Sequence, residues 1–352
     1  MRFLLLASLL AAPSFAEHAL YFPPSGQAAW ERTAPQAAGW SADGLDALLR
    51  FAESRRSTGV VILLNGRILT EQYWDPTRFP STAQYRFEKT AAGQVREDVA
   101  SMQKSITAIL FGIARQKKLI DFDTPVNNLL GDGWSKLSLT QERAITMRHL
   151  LTMTSGTTDD LTFQAEPATQ WRYNSVAYQK ILPALAKAAG KEANTLTREW
   201  LTAPLGMADS EWRSRPNARG MVGFVTTTRD MARFGLMTLA GGEWHGKRII
   251  DPAFLRQALT PSQQLNQSYG LLWWLNGHPV RRAGARESKM LIPTAPKDVV
   301  AAQGALGRKV YVAKSLNLVA VRIGGEAQQK GEPDFNTEFW RLLMAAAPKG
   351  KP

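Results

Sequence analysis

The chain has 352 residues, 43 Lys and Arg against 30 Asp and Glu (formal net charge +13), and no cysteine. That length suffices for one large domain or two subdomains with a sizeable core, and the missing cysteine excludes disulfides, a thiol nucleophile, thiolate-held metals and a cysteine lipid anchor. A surplus of positive charge favours anionic surroundings, but the basic residues occur as scattered pairs (Arg55-Arg56, Lys117-Lys118, Arg281-Arg282) with no recognisable module, so nucleic acid is not expected as a partner and the charge suits solubility with weak attraction to anionic envelope polymers.

Met1-Arg2, the apolar run Phe3 to Ala12 and the small-residue end Pro13-Ser-Phe-Ala16 read as a signal peptide over 1–16. Its ten apolar residues fall short of the roughly 20 that span a bilayer, so no stable membrane insertion is expected after cleavage near Ala16. The expectation is a secreted or periplasmic bacterial protein, with 17–352 as a single domain. Residues 17–40 are irregular. Ser41 caps a predicted helix to about Ser54, with Leu45, Leu48, Leu49 and Ala52 on one face. Val60 to Leu64, Asn65-Gly66 and Arg67 to Thr70 form a strong hairpin signal. Residues 76–98 are polar and read as a loop.

From there to about Leu259 the pattern is mainly helical, with predicted helices from Ser101, over Thr146 to Met153, Val176 to Ala189 and Thr228 to Leu239. Tyr269 to Leu275 is an aromatic strand candidate. Lys309 to Ala313 and Leu318 to Ile323 form a second hairpin, and Asn336 to Ala347 a closing helix. Strands at both ends with helices between predict an α+β fold. Its antiparallel sheet is built from both termini (about 41–95 plus 260–348) and flanked by helices, and a mostly helical part (about 96–259) is inserted.

Ser101-Met-Gln-Lys104 is the one Ser-x-x-Lys of the chain, and it opens an amphipathic helix. Serine and lysine three residues apart project from one helix face. The helix start adds free N–H groups and a positive dipole end. A nucleophile, a proton acceptor and an anion-stabilising element therefore lie within a few residues, as acyl transfer through a covalent serine requires. A third polar group must pass the proton on. Tyr173, in the polar segment Trp171-Arg-Tyr-Asn-Ser175, is the best candidate, with a cationic neighbour expected to lower its pKa.

Ser101-x-x-Lys104, Ile145 to Gly156 and Tyr173-Asn174-Ser175, in that order, resemble the serine beta-lactamase-related hydrolases: class C beta-lactamases, DD-peptidases, esterases and 6-aminohexanoate-dimer hydrolases. Ala203-Pro-Leu-Gly-Met207, Thr226 to Gly235, Gly242 to Lys247 and Gly304-x-x-Gly307 extend the resemblance over roughly 41–345. It implies a beta-lactamase/transpeptidase-like fold, Ser101 as nucleophile, a partly neutral Lys104 as its base, and Tyr173 as general base or relay. It further implies an oxyanion hole from the N–H groups of Ser101 and Ala305, after Gly304, and neither cofactor nor metal. Two departures follow. The family's second motif is more usually Tyr-x-Asn, so Asn174 and Ser175 stand in altered positions for substrate contact. Its third motif, often Lys-Thr-Gly, is replaced by Gln303-Gly304-Ala305, which removes the usual carboxylate clamp. Arg308 either substitutes for it or is a solvated strand residue. Trp171 is the better pocket candidate, whereas core packing is expected of Trp273 and Trp274.

The resemblance thus points to an ester or open-chain amide as small-molecule substrate. The alternatives are a beta-lactamase or D-Ala peptidase acting on cell-wall-like substrates, and an exported binding or sensory module on the same scaffold. A Ser-His-Asp hydrolase is disfavoured because the chain lacks a Gly-x-Ser-x-Gly elbow, and the four histidines have no metal-ligand spacing.

Overall fold

A computed structural model describes residues 20–25, 29–215, 222–280 and 289–349; the expected signal peptide over 1–16 and Arg281-Arg282 lie outside the described residues. In chain order the main elements are helix α1 (Ala42–Ser54), strands β1 (Ser57–Leu64), β2 (Arg67–Tyr73), β3 (Arg86–Lys89) and β4 (Val95–Asp98) and helices α2 (Gln103–Gln116) and α3 (Ile181–Ala189). Next come strands β5 (Glu211–Ser214) and β6 (Val222–Thr226), helix α4 (Thr228–Leu239), strands β7 (Trp274–Leu275), β8 (Val300–Gln303), β9 (Lys309–Ala313) and β10 (Leu318–Gly324), and helix α5 (Phe335–Ala346).

The six-stranded sheet runs β2-β1-β10-β9-β8-β7 with every neighbour antiparallel. The two ends of the chain meet at β1 and β10, where Val61 stands opposite Val321. This is the beta-lactamase/transpeptidase-like α+β architecture, with its sheet assembled from both termini. The Asn65-Gly66 turn has φ of +50° and +83°, the left-handed values a two-residue hairpin turn requires. Alternation does the rest. Val60, Ile62 and Leu64 face α1 and α5, while Val61 and Leu63 face the larger core shared with α2 and α4. Burying each such side chain contributes about 1.5–3 kcal/mol. Ser41 Oγ accepts the Gly44 N–H at 3.0 Å and so caps α1.

Several expectations need correction. A second sheet, β3-β4-β6-β5, takes two strands from the expected loop 76–98 and two from the expected helical run. Strands β3, β4 and β5 are polar, and ion pairs such as Arg96–Glu211 (2.6 Å) and Arg213–Glu88 (2.7 Å) tie together residues more than a hundred positions apart. The predicted helix 176–189 is split into Ser175–Tyr178 and α3. Of Tyr269 to Leu275, only Trp274–Leu275 is a strand. Helix α2 is not amphipathic in place, because every residue from Gln103 to Ala114 is buried. Its polar side chains are satisfied inside: Gln103 Oε1 accepts the Phe224 N–H at 3.0 Å and Ser105 Oγ donates to Leu272 O at 2.8 Å. Among the described residues no helix is long and apolar enough to cross a membrane.

Candidate active site

Strand β4 delivers the chain directly to Ser101. The Val99 N–H donates to Phe224 O at 3.0 Å, which ties the approach to β6. Asp98 Oδ1 accepts the Ala100 N–H at 2.7 Å and helps hold Ala100 at φ +52°, a left-handed conformation unfavourable for a residue with a Cβ. Ser101 follows in the single turn Ala100–Met102, just ahead of α2, and is partly exposed. Asp98 is in turn gripped by Arg215 through two hydrogen bonds of 2.6 and 3.0 Å.

Lys104 lies one turn on, 3% exposed. Its Nζ is 3.0 Å from Ser101 Oγ and 3.1 Å from Ser175 Oγ. The same nitrogen sits 4.8 Å from the Tyr173 ring centre and 4.5 Å from that of Tyr178. Burial, reinforced by the positive charge of Arg215, pulls the Lys104 amine down to about 7, so a large neutral fraction exists at neutral pH.

Tyr173 reaches the same centre by another route. Burial raises its pKa, and the Ser101 side chain beside its hydroxyl pulls the other way. The expected cationic neighbour does not act on it: Arg172 turns outward to Asp159 at 2.8 Å. The Tyr173 ring stacks on Trp274 (5.9 Å between centres) and stands edge-on to Tyr269 (6.3 Å). Trp171 meets Trp274 edge-on at 6.2 Å and Tyr269 at 5.4 Å, completing an aromatic wall beside the serine. Trp274, expected in the core, therefore belongs to this wall. Trp273 faces the other way and stacks on Phe234 at 5.8 Å.

The segment Gln303-Gly304-Ala305 runs past the Ser101 turn. A Cβ on Gly304 would come 2.4 Å from Val99 O, so only glycine permits this approach of β8 to the turn that carries Ser101. Ala305 is exposed at the start of a tight turn in which Leu306 has φ +62°. The Leu306 carbonyl accepts from Arg322 Nη1 at 2.7 Å, which fixes the loop from below.

Two candidate substrate contacts have other employment. Asn174 is buried and saturated. Its Oδ1 accepts the Val176 and Ala177 N–H groups at 3.0 and 2.9 Å, and its Nδ2 donates to Thr157 O and Thr158 O, both at 2.9 Å. Arg308 is neither an exposed clamp nor a solvated strand residue. It is fully buried, ion-paired with Glu97 at 2.9 Å, and its guanidinium lies 4.2 Å from the Tyr85 ring centre. It follows the inward parity of Val310 and Val312 on β9.

The sequence model of the beta-lactamase family matches residues 33–324. The chain belongs to the beta-lactamase family. Solved structures of similar shape include a provisionally assigned beta-lactamase from Bacteroides dorei (TM-score 0.67, 19% identity, covering 87% of this chain and 99% of that one). A provisionally assigned 6-aminohexanoate-dimer hydrolase from Bacillus anthracis has TM-score 0.63 at 17% identity, with coverage of 93% and 87%. Simvastatin synthase from Aspergillus terreus has TM-score 0.60 at 15% identity, with coverage of 87% and 98%. Among curated proteins none matches the chain by sequence.

Three further groups of this beta-lactamase-family centre escaped sequence reasoning. Tyr178 stands one helical turn after Ser175, a spacing that places both on one face and could have revealed it. Trp274 could have been separated from Trp273 by strand alternation. Arg215 lies over a hundred residues from Lys104 with no local pattern to connect them.

Proposed function

We propose that this protein is a serine hydrolase that cleaves esters or open-chain amides through an acyl-enzyme on Ser101. The observation that carries this reading is the 3.0 Å contact between Ser101 Oγ and a buried Lys104 amine held near neutrality. Neutral Lys104 takes the Ser101 proton as Oγ attacks the substrate carbonyl carbon. The developing oxyanion is received by the N–H groups of Ser101 and Ala305. The tetrahedral species collapses, the C–O or C–N bond breaks, and the leaving group departs with a proton. Water attacks the acyl-enzyme by the reverse arrangement and releases the acid. Burial raises the pKa of Tyr173, which favours its neutral phenol, a group able to donate and accept at once beside the serine.

Substrate choice follows from what surrounds the serine. The Lys-Thr-Gly lysine is absent and Arg308 is occupied with Glu97, so neither the family's usual lysine nor Arg308 clamps the carboxylate of a beta-lactam or a D-Ala peptide. The aromatic wall of Trp171, Tyr173, Tyr269 and Trp274 favours an apolar acyl or leaving group. The signal-like segment before Glu17 suits action outside the cytoplasm, in the periplasm or medium.

The test is direct. A fluorophosphonate probe is expected to label Ser101, and Ser101→Ala to lose both the label and ~10³-fold or more of the turnover of p-nitrophenyl butyrate. Nitrocefin turnover equal to or better than that of the ester would instead restore a beta-lactamase. Absence of labelling in the wild type would leave a binding module on this scaffold.

A further inference from the structure

Ser175 occupies the last place of the Tyr-x-Asn motif, and its hydroxyl is the second one on Lys104. Nζ lies between two oxygens, Ser101 Oγ at 3.0 Å and Ser175 Oγ at 3.1 Å. The Tyr173 phenol does not occupy an equivalent place. It offers Lys104 the face of its ring, 4.8 Å away, and its hydroxyl is influenced by Ser101. Ser175 is also held rigidly. It is the first residue of the helical turn Ser175–Tyr178, which Asn174 caps while bonding to Thr157 and Thr158. The interchange of residue types within this motif thus has a consequence. The amide that the family usually places last has moved to the middle as a structural cap, and a hydroxyl, which can donate and accept at once, stands where the amide was.

We propose that Ser175 is a catalytic residue of this hydrolase: its hydroxyl carries the proton from Lys104 to the departing group. The inference rests on the serine-hydrolase reading above. In the first half of acylation the Ser101 proton moves to the Lys104 amine, giving an ammonium, as the bond from Oγ to the carbonyl carbon forms. In the second half the ammonium gives one proton to Ser175 Oγ, and Ser175 passes its own hydroxyl proton to the leaving oxygen or nitrogen as that bond to carbon breaks. The alcohol or amine leaves neutral, and Lys104 and Ser175 return to their starting forms. No other reactant is consumed.

The relay predicts a dependence on the leaving group. p-Nitrophenolate departs as a stable anion and has little need of a proton; an alkoxide cannot depart without one. The experiment measures kcat/KM, which reports acylation, for p-nitrophenyl butyrate and ethyl butyrate with the wild type, Ser175→Ala, Ser175→Asn and Ser175→Thr. General acid catalysis is worth ~10²–10⁴-fold, so Ser175→Ala should raise the ratio of the p-nitrophenyl to the ethyl ester by ~10²-fold. Ser175→Asn keeps a polar group beside Lys104 but has no hydroxyl to pass a proton, and it should raise the ratio similarly even if the alanine variant fails to fold. Ser175→Thr restores the hydroxyl and should return the ratio to within ~10-fold of wild type. Variants that lose both esters equally, with the ratio unmoved, overturn the relay. Failure of the wild type on both esters would instead count against the hydrolase reading itself.

Discussion

Two lysines are buried on opposite sides of the six-stranded sheet, and burial draws both amines down to about 7. Lys104 looks into the core shared with α4 and finds two hydroxyls within 3.1 Å. Lys309, on β9, has the parity of Tyr311 and lies on the face covered by α1 and α5. Its Nζ donates to Gln303 Oε1 at 2.6 Å, while Asp334 pulls its pKa up and Arg322 pushes it down. A lowered amine pKa alone therefore does not mark a base. It reports desolvation, which any sufficiently buried lysine shares. Lys104 is set apart by a proton to take, from a serine that is partly open to solvent, and by a second hydroxyl to receive it.

The largest effect that separates the two sites is on turnover. On the proposed mechanism, Lys104→Ala should lower kcat/KM for p-nitrophenyl butyrate by ~10²–10⁴-fold with little change in Tm, because that mechanism assigns the amine to proton transfer rather than packing. The pH profile makes the same distinction. Lys104 must be neutral to accept the Ser101 proton, so kcat/KM should fall about tenfold per unit as pH drops below about 7 and level off above it. Lys309→Met should leave that inflection in place. An acid limb that moves with Lys309 would erase the contrast between the two lysines.

The next effect is on stability, and it concerns a charge at the end of the strand that carries Lys309. Arg308 and Glu97 are paired with side chains 0% and 3% exposed. Truncation to Arg308→Ala strands a buried carboxylate, and breaking such a pair costs about 3–5 kcal/mol. The denaturant midpoint should fall accordingly, whereas KM for esters with and without a free carboxylate should change alike. A rise in KM confined to carboxylate-bearing substrates, at unchanged stability, would make Arg308 a clamp after all.

What the sequence made legible follows from the range of each signal. The Ser41 cap, the Asn65-Gly66 turn and the 309–323 hairpin are local, and each forms as expected. The Ser-x-x-Lys spacing is local too, and it brings Ser101 and Lys104 to 3.0 Å. Tyr173 is legible only as the best-placed polar aromatic and then through resemblance, since nothing in its own neighbourhood links it to a serine seventy residues earlier. The small sheet was illegible because its strands are short, three of the four are charged, and the β4–β6 pairing that joins its two local strand pairs lies across the chain. Arg308 was misjudged because a charged residue on a strand is ordinarily solvated, and only the fold reveals Glu97 beneath it.

The smallest effect is also the cleanest test of how burial acts on Lys309. Its amine binds a proton at about 7 in the folded protein and at the ordinary lysine value of 10.5 when unfolded. Between those limits the unfolded chain holds the extra proton, so stability must rise with pH across the window; below about 7 both states are protonated and the desolvation cost is fully present. Lys104 obeys the same relation with the same limits. Removing one amine in Lys309→Met should therefore reduce the slope of stability against pH between about 7 and 10.5, with Lys104 contributing to what remains. At pH 7 the net gain in stability should be reduced, because relief of desolvation is offset in part by loss of the Gln303 hydrogen bond. Chemical denaturation at pH 7, 8.5 and 10 reads both quantities. A slope unaffected by Lys309→Met would mean that Lys309 keeps its proton when buried, and that the amine beside Ser101 owes its neutrality to something more than burial.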